Sequence, residues 1–572
     1  MPGLLFLVNQ RLQAAFDVVE PGADPVLRPS DRADFQANGA LPLAKRLGVN
    51  PREVAAQVVE ALDTDGWCAK VEVAGPGFIN VTLDDAWLAG LVDGVAADVA
   101  LGVAQRAEPD LVVVDYASPN IAKEMHVGHL RSTIIGDALC RMLGFVGDQV
   151  VRENHIGDWG TPFGMLIEHL VDLGEEQGAE ALSVGELEEF YRGARTKFDS
   201  DPKFGERSRA RVVSLQAGEP ETMRLWGVLV GQSLTYIDGV LARLGVLLTR
   251  DDVRGESSYN DLLAGVVDEL DAKGLLVESE GALCVFPPGF SGRDGQPLPL
   301  IVRKSDGGYG YAATDLAGIR ERFVEMKATL SLYVVGATQS QHLEMCFAVG
   351  RMAGWIVAPA QAVHVGFGNM LGADRKMFRT RAGGTAKLAD LLDEAELRAR
   401  AAVADKNPDL PPEEAAEVAR QVGIGAVKYS DLSTDRTRDY VFEWDRMLAF
   451  EGNTAPYLQY AHARIRSIFR RAPEDAGLGA VVIGDPAERT LAVALLGFDA
   501  ALEGTLEAFS PHKLCSYLFD LAGTFTTFYE HCPVLRADDP AQRASRLSLC
   551  DLTARILACG LDLLGIEAPA RM

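Results

Sequence analysis

The sequence predicts an α/β multidomain protein, and three observations carry that prediction. With 572 residues the chain is too long for a single hydrophobic core, so we expect about three to five domains. After residue 110, short apolar runs alternate with helical patterns, which is typical of a parallel sheet with crossover helices. The patterns before and after this region differ from it. The middle of the chain therefore predicts a split, Rossmann-like parallel-sheet domain between two domains of other kinds.

The first predicted boundaries follow from these changes of pattern. Residues 1–105 indicate an N-terminal α+β domain, in which a Gly-Pro-Gly turn at 75–77 separates two β-rich runs. Residues 106–375 contain the sheet, and a charged, largely helical stretch at about 165–300 interrupts it as an insertion. The predicted strands of the sheet are Leu111–Val114, Gln149–Arg152, Leu330–Val335 and Gln361–Val365.

The rest of the chain is predicted to be helical. Residues 376–444 form a helical region with a Pro- and acid-rich break at 406–414, and residues 445–572 form a helical bundle. One apolar stripe in the bundle has helical spacing, with steps of four and three. We assign it to the core; its members are Leu514, Leu518, Leu521, Phe525 and Phe528.

Composition limits the class of function. A net charge of −26 argues against a general nucleic-acid binder and against a DNA partner, because phosphate contacts need Lys and Arg. A specific RNA partner fits if basic residues are gathered locally, and residues 462–471 contain four arginines and no acidic residue. The alternative for this run is a solvated helix face.

Location and metal content follow from two further features. The apolar run Leu4–Val8 is too short for a signal sequence or a membrane span, so we expect a cytoplasmic protein without a membrane partner. Eight cysteines are spread along the chain, and no pair has the C-x-x-C spacing. We therefore expect reduced thiols, no zinc and no protein metal site.

Residues 115–131, the first signature segment, are the most informative part of the chain. They place a carboxylate, an amide, a lysine and two histidines between a predicted strand and a helix predicted to start near Gly128. Open parallel sheets bind nucleotides at such turns. His126 and His129 could both face one phosphate, and Gly128 would allow a close approach of the backbone. Two histidines with this spacing also occur in structural and metal-binding roles.

The run from Ser118 to Asp137 resembles the signature block of the arginyl-tRNA synthetases, a class I aminoacyl-tRNA synthetase family with an H-x-G-H motif. Four further blocks agree with it in kind and order: Gly157–Gly160, Tyr311–Asp315, Gln339–His342 and Phe378–Gly384. The resemblance covers essentially the whole chain. It implies ATP-dependent ligation of L-arginine to tRNA(Arg) through an arginyl-adenylate, with an N-terminal tRNA-binding domain and a C-terminal anticodon-binding domain. The region 376–444 would carry the second signature loop and contact the tRNA stem.

The resemblance also implies roles for single residues. Asp115, Asp315 and Tyr311 would bind the guanidinium of arginine. Asn120 would hold the substrate carboxylate, and Ser118 with Gln339 its ammonium. ATP would contact residues of both signatures, namely Lys123, His126, Gly128, His129, Lys376, Phe378, Arg379, Thr380 and Arg381.

The second signature departs from the usual K-M-S-K-S pattern of the class. The corresponding segment reads Lys-Met-Phe-Arg-Thr-Arg from residue 376, so the second lysine is missing. Lys123 is the substitute that the family suggests, and Arg379 or Lys376 could help. The alternative for this segment is a basic surface loop.

For tRNA contacts the resemblance implies Phe78, Asn80, Tyr457, Tyr460, Arg464 and Arg466. Core packing is the alternative for Phe78 and for each tyrosine. We expect ATP to act with Mg²⁺, the protein to be a monomer, and adenylate formation to wait for tRNA. A rival hypothesis is a non-catalytic paralogue that binds tRNA or a protein partner. A class I synthetase for another amino acid is disfavoured by the two aspartates and the tyrosine.

Overall fold

The computed structural model describes residues 3–30, 32–174, 187–292, 294–376, 378, 386–474 and 476–572. The chain divides into two compact units. One contains Met1–Gln105, Phe450–Asp562 and Glu567–Met572; the other contains Arg106–Ala449 and Leu563–Ile566. The predicted parallel sheet and the first signature segment lie in the second of these, which we call the sheet unit.

The N-terminal part of the first unit is an α+β fold, as predicted. Its elements are α1 Leu4–Val19, β1 Leu27–Pro29, β2 Phe35–Ala37, α2 Ala40–Leu47, α3 Pro51–Ala61, β3 Cys68–Ala74, β4 Phe78–Leu83 and α4 Asp85–Ala97. The strands form an antiparallel sheet in the order β1-β2-β4-β3. Gly77 ends the turn between β3 and β4 with a φ of 138°, and a Cβ there would lie 2.8 Å from the Pro51 carbonyl oxygen.

The sheet unit has a parallel core. Its elements up to the end of the insertion are β5 Leu111–Asp115, α5 Val127–Phe145, β6 Gln149–Glu153, α6 Pro162–Leu173, α7 Leu187–Ser200, α8 Pro202–Gln216, α9 Pro220–Leu244, α10 Asn260–Ala272, β7 Val277–Ser279, β8 Ala282–Val285 and β9 Leu300–Arg303. Those that follow are α11 Tyr311–Arg320, β10 Leu330–Tyr333, α12 Ser340–Met352, β11 Gln361–His364, β12 Met370–Leu371, α13 Leu388–Lys406, α14 Pro412–Leu432, β13 Tyr440–Val441 and α15 Trp444–Met447.

Four parallel strands form the central sheet in the order β11-β10-β5-β6, so all four predicted strands are confirmed. In the register, Leu332 lies opposite Val114, and Val114 lies opposite Arg152. The chain leaves β5 toward one edge of the sheet and leaves β10 toward the other. The crevice at the carboxyl ends of β5 and β10 is therefore the switch point where folds of this class bind ligands.

The insertion is largely helical, as predicted, but it ends in an antiparallel sheet of β7, β8 and β9 that we did not predict. These strands are three or four residues long and partly exposed, so their apolar pattern is weak. α9 is long and apolar enough to cross a membrane, a property that core helices share. One third of its most apolar stretch is buried.

The C-terminal part of the first unit is a helical bundle, as predicted. Its helices are α16 Ala455–Arg471, α17 Pro486–Leu495, α18 Phe498–Ala508, α19 His512–His531 and α20 Pro540–Leu563. All five residues of the predicted stripe on α19 are buried. The bundle also joins the N-terminal sheet, because Arg489 of α17 donates two hydrogen bonds of 2.7 and 2.8 Å to Asp34.

Candidate active site

The first signature segment runs from the end of β5 to the start of α5 in a strained conformation. Ala117, Ser118 and Ala122 have φ angles of 72°, 48° and 58°, a left-handed region that residues other than glycine rarely adopt. Each costs on the order of 1–3 kcal/mol. Contacts from elsewhere hold the loop; the Ala122 N–H, for example, donates to Ser233 Oγ of α9 at 3.1 Å. Strain that the surrounding structure imposes is typical of ligand-binding loops.

The two histidines cap the helix that follows them. α5 begins at Val127, one residue before our prediction, with His126 as its N-cap. His126 Nδ1 accepts a hydrogen bond from the Gly128 N–H, and His129 Nδ1 accepts one from the His126 N–H, both at 3.0 Å. A Cβ at position 128 would lie 2.7 Å from the His126 ring, so glycine makes room for that ring.

These bonds define the protonation of both rings. A nitrogen that accepts a hydrogen bond carries no proton, so each neutral ring has its proton on Nε2. Burial lowers the pKa of His129 to about 3, and burial, followed by the charge of Lys123, lowers the pKa of His126. Both histidines are therefore neutral near pH 7 and offer an Nε2–H donor at the positive end of the α5 dipole.

Lys123 is exposed and lies over an aromatic ring of the insertion. Its Nζ is 4.8 Å from the centre of the Tyr191 ring on α7. A cation–π contact of this kind at an exposed site contributes about 0.5–1 kcal/mol. A phosphate could readily displace so weak a contact.

The structure brings two of the sequence blocks together at Asn120 and Gly157. The Ile121 N–H donates to the Gly157 carbonyl at 3.1 Å, and the Gly157 N–H donates to the Pro119 carbonyl at 3.2 Å. Asn120 Oδ1 lies where a Cβ at position 157 would be. Any larger residue at 157 would therefore clash with the exposed Asn120 amide, and glycine leaves room for it.

Asp115 lies at the end of β5 in a buried ion cluster with Arg322 and Glu153. Arg322 Nη2 donates to Asp115 Oδ2 at 2.8 Å, and Arg322 Nε donates to Glu153 Oε2 at 2.9 Å. Asp115 Oδ1 accepts a longer bond of 3.3 Å from Ser118 Oγ. Neither Arg322 nor Glu153 was among the predicted site residues. One lone pair of the Asp115 carboxylate is thus committed to an internal cation.

Asp315 is the more open of the two predicted carboxylates. It lies one turn after the exposed Tyr311 on α11, and its Oδ2 is 2.6 Å from His342 Nε2 on α12. That hydrogen bond raises the pKa of His342. The Asp315 side chain is 26% exposed, and in the described chain His342 is its only hydrogen-bond partner. Gln339, which precedes α12, is exposed at the carboxyl edge of the sheet.

Glu256 is a further candidate that the sequence did not reveal. Its N–H donates to the Ile156 carbonyl just beyond β6, which places it at the same edge of the sheet. Burial is the main cause that raises the pKa of Glu256 to about 7, and the charges of Asp158 and Asp315 act in the same direction. Its carboxyl has no hydrogen-bond partner among the described residues. A half-buried, unpartnered carboxyl beside Asp315 suits a cationic ligand.

Part of the second signature lies outside the described residues, namely Arg379, Thr380 and Arg381. Lys376 is exposed, and its N–H donates to Asp374 Oδ1 at 3.1 Å. Phe378 packs edge-on against Phe442, with ring centres 5.1 Å apart. Packing against Phe442 therefore fixes the position of the Phe378 side chain.

The chain that follows the second signature is joined to the first one. Residues 125–127 and 386–388 share two backbone hydrogen bonds of 3.1 and 2.9 Å. Lys387 Nζ also lies 2.8 Å from Glu124 Oε2, whose side chain is only 4% exposed. We call this pair the loop clasp. It gives the two nucleotide signatures a direct mechanical connection.

The predicted tRNA residues of the N-terminal domain lie on β4. Phe78 is half-buried. Asn80 is 7% exposed, and its Oδ1 accepts a hydrogen bond of 2.7 Å from Gln36 Nε2. Phe78 therefore has more surface available to a partner than Asn80.

The predicted tRNA residues of the bundle lie on α16. Tyr460 is exposed, whereas the half-buried Tyr457 packs on Phe519 with ring centres 5.6 Å apart. Arg464 is exposed and lies 4.8 Å from the centre of the Tyr529 ring. Arg466 Nη1 lies 3.4 Å from an Asp551 carboxylate oxygen, so part of its charge is neutralised within the bundle.

Three family models match the chain in succession. They are the arginyl tRNA synthetase N terminal domain over residues 6–83, the tRNA synthetases class I (R) catalytic domain over 93–444, and the DALR anticodon binding domain over 458–572. The chain is 54% identical over 567 residues to the arginine–tRNA ligase of Thermobifida fusca, covering 99% of this chain and 98% of that one. It is 50% identical to the Escherichia coli arginine–tRNA ligase, covering 99% of both.

Solved structures agree with these matches. The Plasmodium falciparum arginyl-tRNA synthetase superposes with a TM-score of 0.86 at 28% identity, and the Thermus thermophilus enzyme with 0.83 at 27%. Each comparison covers the whole of both chains. This chain therefore belongs to the arginyl-tRNA synthetase family, within the class I aminoacyl-tRNA synthetases.

Proposed function

We propose that this chain ligates L-arginine to tRNA(Arg) in two steps, with ATP consumed and AMP and pyrophosphate released. The observation that carries the proposal is the arrangement at the carboxyl edge of the sheet. A neutral histidine pair at a helix N-terminus lies on the same loop as Asp115, and the open carboxylate of Asp315 belongs to the same edge. An anion site and a cation site at the same edge of the sheet suit ATP and arginine.

In the first step, the arginine carboxylate attacks the α-phosphorus of ATP and pyrophosphate leaves. Negative charge grows on phosphate oxygens as the bond to the leaving group breaks. The Nε2–H groups of His126 and His129 would donate to these oxygens without giving up a proton, because both rings are neutral. Lys123, released from Tyr191, would supply the positive charge that the second signature lacks.

ATP is the nucleotide substrate of this family, and we propose that it enters with Mg²⁺. The imidazoles and Lys123 are nitrogen donors, whereas Mg²⁺ prefers oxygen ligands. The phosphates and water would therefore hold the ion, and the role left to the protein is to orient the phosphates.

Selection of arginine rests on the shape and charge of its side chain. A guanidinium is planar, always charged and carries five donors, so it can bind a carboxylate in a fork. Asp315 and Glu256 offer such oxygens, and the exposed Tyr311 lies one turn before Asp315 on α11. Lysine has a point charge and would leave acceptors unmatched, which costs roughly 2–5 kcal/mol.

In the second step, the 2′-hydroxyl of the terminal adenosine of tRNA attacks the adenylate carbonyl, and AMP leaves. No described side chain is an evident general base for this step, so positioning would supply most of the rate. Tyr460 and Arg464 on the bundle would contact the anticodon stem and loop by stacking and charge. Phe78 would contact the tRNA at its other corner. We propose that the protein catalyses this reaction in the cytoplasm and as a monomer.

Pyrophosphate exchange into ATP tests the proposal directly. Exchange should require arginine, should not occur with lysine, and should depend on tRNA(Arg) if adenylate formation waits for tRNA. A chain that binds tRNA(Arg) but shows no exchange under any of these conditions would be the non-catalytic paralogue. Exchange without tRNA would remove only the coupling claim.

A further inference from the structure

Asp315, His342 and Cys346 form a compact cluster of three different donor atoms. His342 and Cys346 lie one turn apart on α12, and Asp315 comes from α11. His342 Nε2 is 2.6 Å from Asp315 Oδ2 and 3.7 Å from Cys346 Sγ. The three donor atoms all lie within 4.8 Å of one another. We call them the His-Cys-Asp cluster.

The donor set matches one class of metal ion. Thiolate, imidazole and carboxylate are the ligands of Zn²⁺, whereas Mg²⁺ takes oxygen ligands almost exclusively. Around a tetrahedral Zn²⁺ with bonds of about 2.0–2.3 Å, neighbouring ligand atoms lie about 3.3–3.6 Å apart. The distance between His342 and Cys346 is within about 0.1–0.4 Å of this range. The Asp315 oxygen would have to move away from His342 by under about 1 Å and, from within 4.8 Å of Cys346, toward the sulfur by up to about as much.

Access to the cluster comes from one side. Cys346 is fully buried in the core of the sheet unit, among residues of α11 and α12. The Asp315 and His342 side chains are 26% and 33% exposed. An ion would therefore enter past Asp315 and His342, with the thiolate as the innermost ligand and water in the fourth position.

We propose that the His-Cys-Asp cluster binds Zn²⁺ in competition with arginine, so that the metal inhibits amino-acid activation. The competition rests on the proposed function, because it requires Asp315 to bind the guanidinium. On binding, the Cys346 thiol releases its proton to solvent and the sulfur becomes a thiolate ligand. His342 Nε2 also gives up the proton that it shares with Asp315, to solvent from the charged ring or to Nδ1 in the neutral ring. No oxidation state changes. The metal and the guanidinium then need the same carboxylate oxygens.

Cobalt binding tests the site without reference to activity. Co²⁺ added to the full chain should give the absorption of a thiolate-to-cobalt charge transfer, and Zn²⁺ should abolish it. Cys346→Ser should weaken binding by at least the ~100-fold that loss of an outer partner of a metal ligand can cost. Cys559→Ser, at a half-buried cysteine of α20, is the matched control and should keep the band. If the Cys346 variant fails to fold, His342→Gln should give the same loss.

Displacement of the metal by arginine and inhibition of pyrophosphate exchange by Zn²⁺ complete the test. Arginine should displace the cobalt band and lysine should not. In pyrophosphate exchange with tRNA(Arg), Zn²⁺ should raise the KM for arginine and leave kcat unchanged, and Cys346→Ser should not respond. A band that persists in Cys346→Ser, or one that arginine leaves intact, would overturn the inference. A normal cobalt band in a chain with no exchange would instead refute the proposed function.

Discussion

Asp115 and Asp315 are both expected to bind the arginine side chain, yet their surroundings differ. Asp115 is buried at a strand end and bonded to Arg322, which also neutralises Glu153. Asp315 lies on a helix, is partly exposed and has a histidine as its partner. One carboxylate is part of the framework of the sheet, and the other is available to a ligand.

A buried charge can serve both structure and binding. Asp115 and Glu153 bring two negative charges and Arg322 one positive charge, so the buried cluster has a net charge of −1. This residual charge attracts a guanidinium at a distance, whereas Asp315 can bond to it directly. We expect changes near Asp115 to affect stability first and changes at Asp315 to affect binding first.

The largest expected effect is on stability. Arg322→Met leaves Asp115 and Glu153 buried side by side without a cation, which should cost about 3–5 kcal/mol of unfolding free energy. The measurement is chemical denaturation followed by a signal from the sheet unit. Arg320→Met, at the last residue of α11, breaks partly exposed pairs with Glu269 and Glu325 and should cost only about 1 kcal/mol, because water screens such pairs. If both variants lose the same unfolding free energy, the buried cluster around Asp115 contributes no more to stability than a partly exposed ion pair.

The next effect is on catalysis. Asp315→Asn removes the charge that faces the guanidinium. The kcat/KM for arginine should fall roughly 30- to 5,000-fold, which corresponds to a loss of about 2–5 kcal/mol of transition-state stabilisation. The thermal midpoint should stay at the wild-type value. Asp268→Asn, at an exposed position of α10, is the matched control. If Asp315→Asn loses stability but keeps its specificity for arginine, Asp315 has a structural role and does not bind the substrate.

Glu256 should make arginine binding depend on pH. Its pKa of about 7 means that it is largely neutral below that pH and charged above it. A guanidinium favours the charged form, so the KM for arginine should fall about tenfold as the pH rises through this range. Glu256→Gln should flatten the profile, while Glu278→Gln on β7 should not. The reverse slope, with KM rising with pH, would show that Glu256 does not face the substrate.

The loop clasp should have the smallest effect. Glu124→Gln weakens the contact between the two nucleotide signatures, and we expect kcat to fall about three- to tenfold with little change in the KM for arginine. Lys387→Met should give a similar loss. The double variant should lose no more than either single one, because both remove the same contact. Additive losses would mean that the two residues act independently.

Some of this arrangement was readable from the sequence, for definite physical reasons. Val112, Val113 and Val114 are buried on both faces of the sheet, so their strand appears as a continuous apolar run. The stripe on α19 was equally clear because its members share one helix face. The polar strand-to-helix turn at 115–131 by itself indicates a nucleotide site.

Other features depend on contacts that sequence spacing does not encode. Arg322 reaches Asp115 across 207 positions of the chain, from a single π-helical turn with no motif of its own. The sequence predicts that the two histidines of the first signature segment bind a ligand, but it does not indicate that their Nδ1 atoms cap α5. Cysteine spacing gives no sign of the His-Cys-Asp cluster, because the partners of Cys346 are a histidine one turn away and an aspartate on another helix.

Discrimination between arginine and citrulline tests directly whether the open carboxylate of Asp315 recognises the charge of the substrate. Citrulline has nearly the same shape as arginine but no charge. The ratio of kcat/KM for arginine to that for citrulline in pyrophosphate exchange should be high in the wild-type protein and in Arg320→Met. It should fall by roughly the full 30- to 5,000-fold loss in Asp315→Asn, because only the charged substrate is affected. If Asp315→Asn leaves this ratio unchanged, Asp315 does not recognise the charge of the guanidinium.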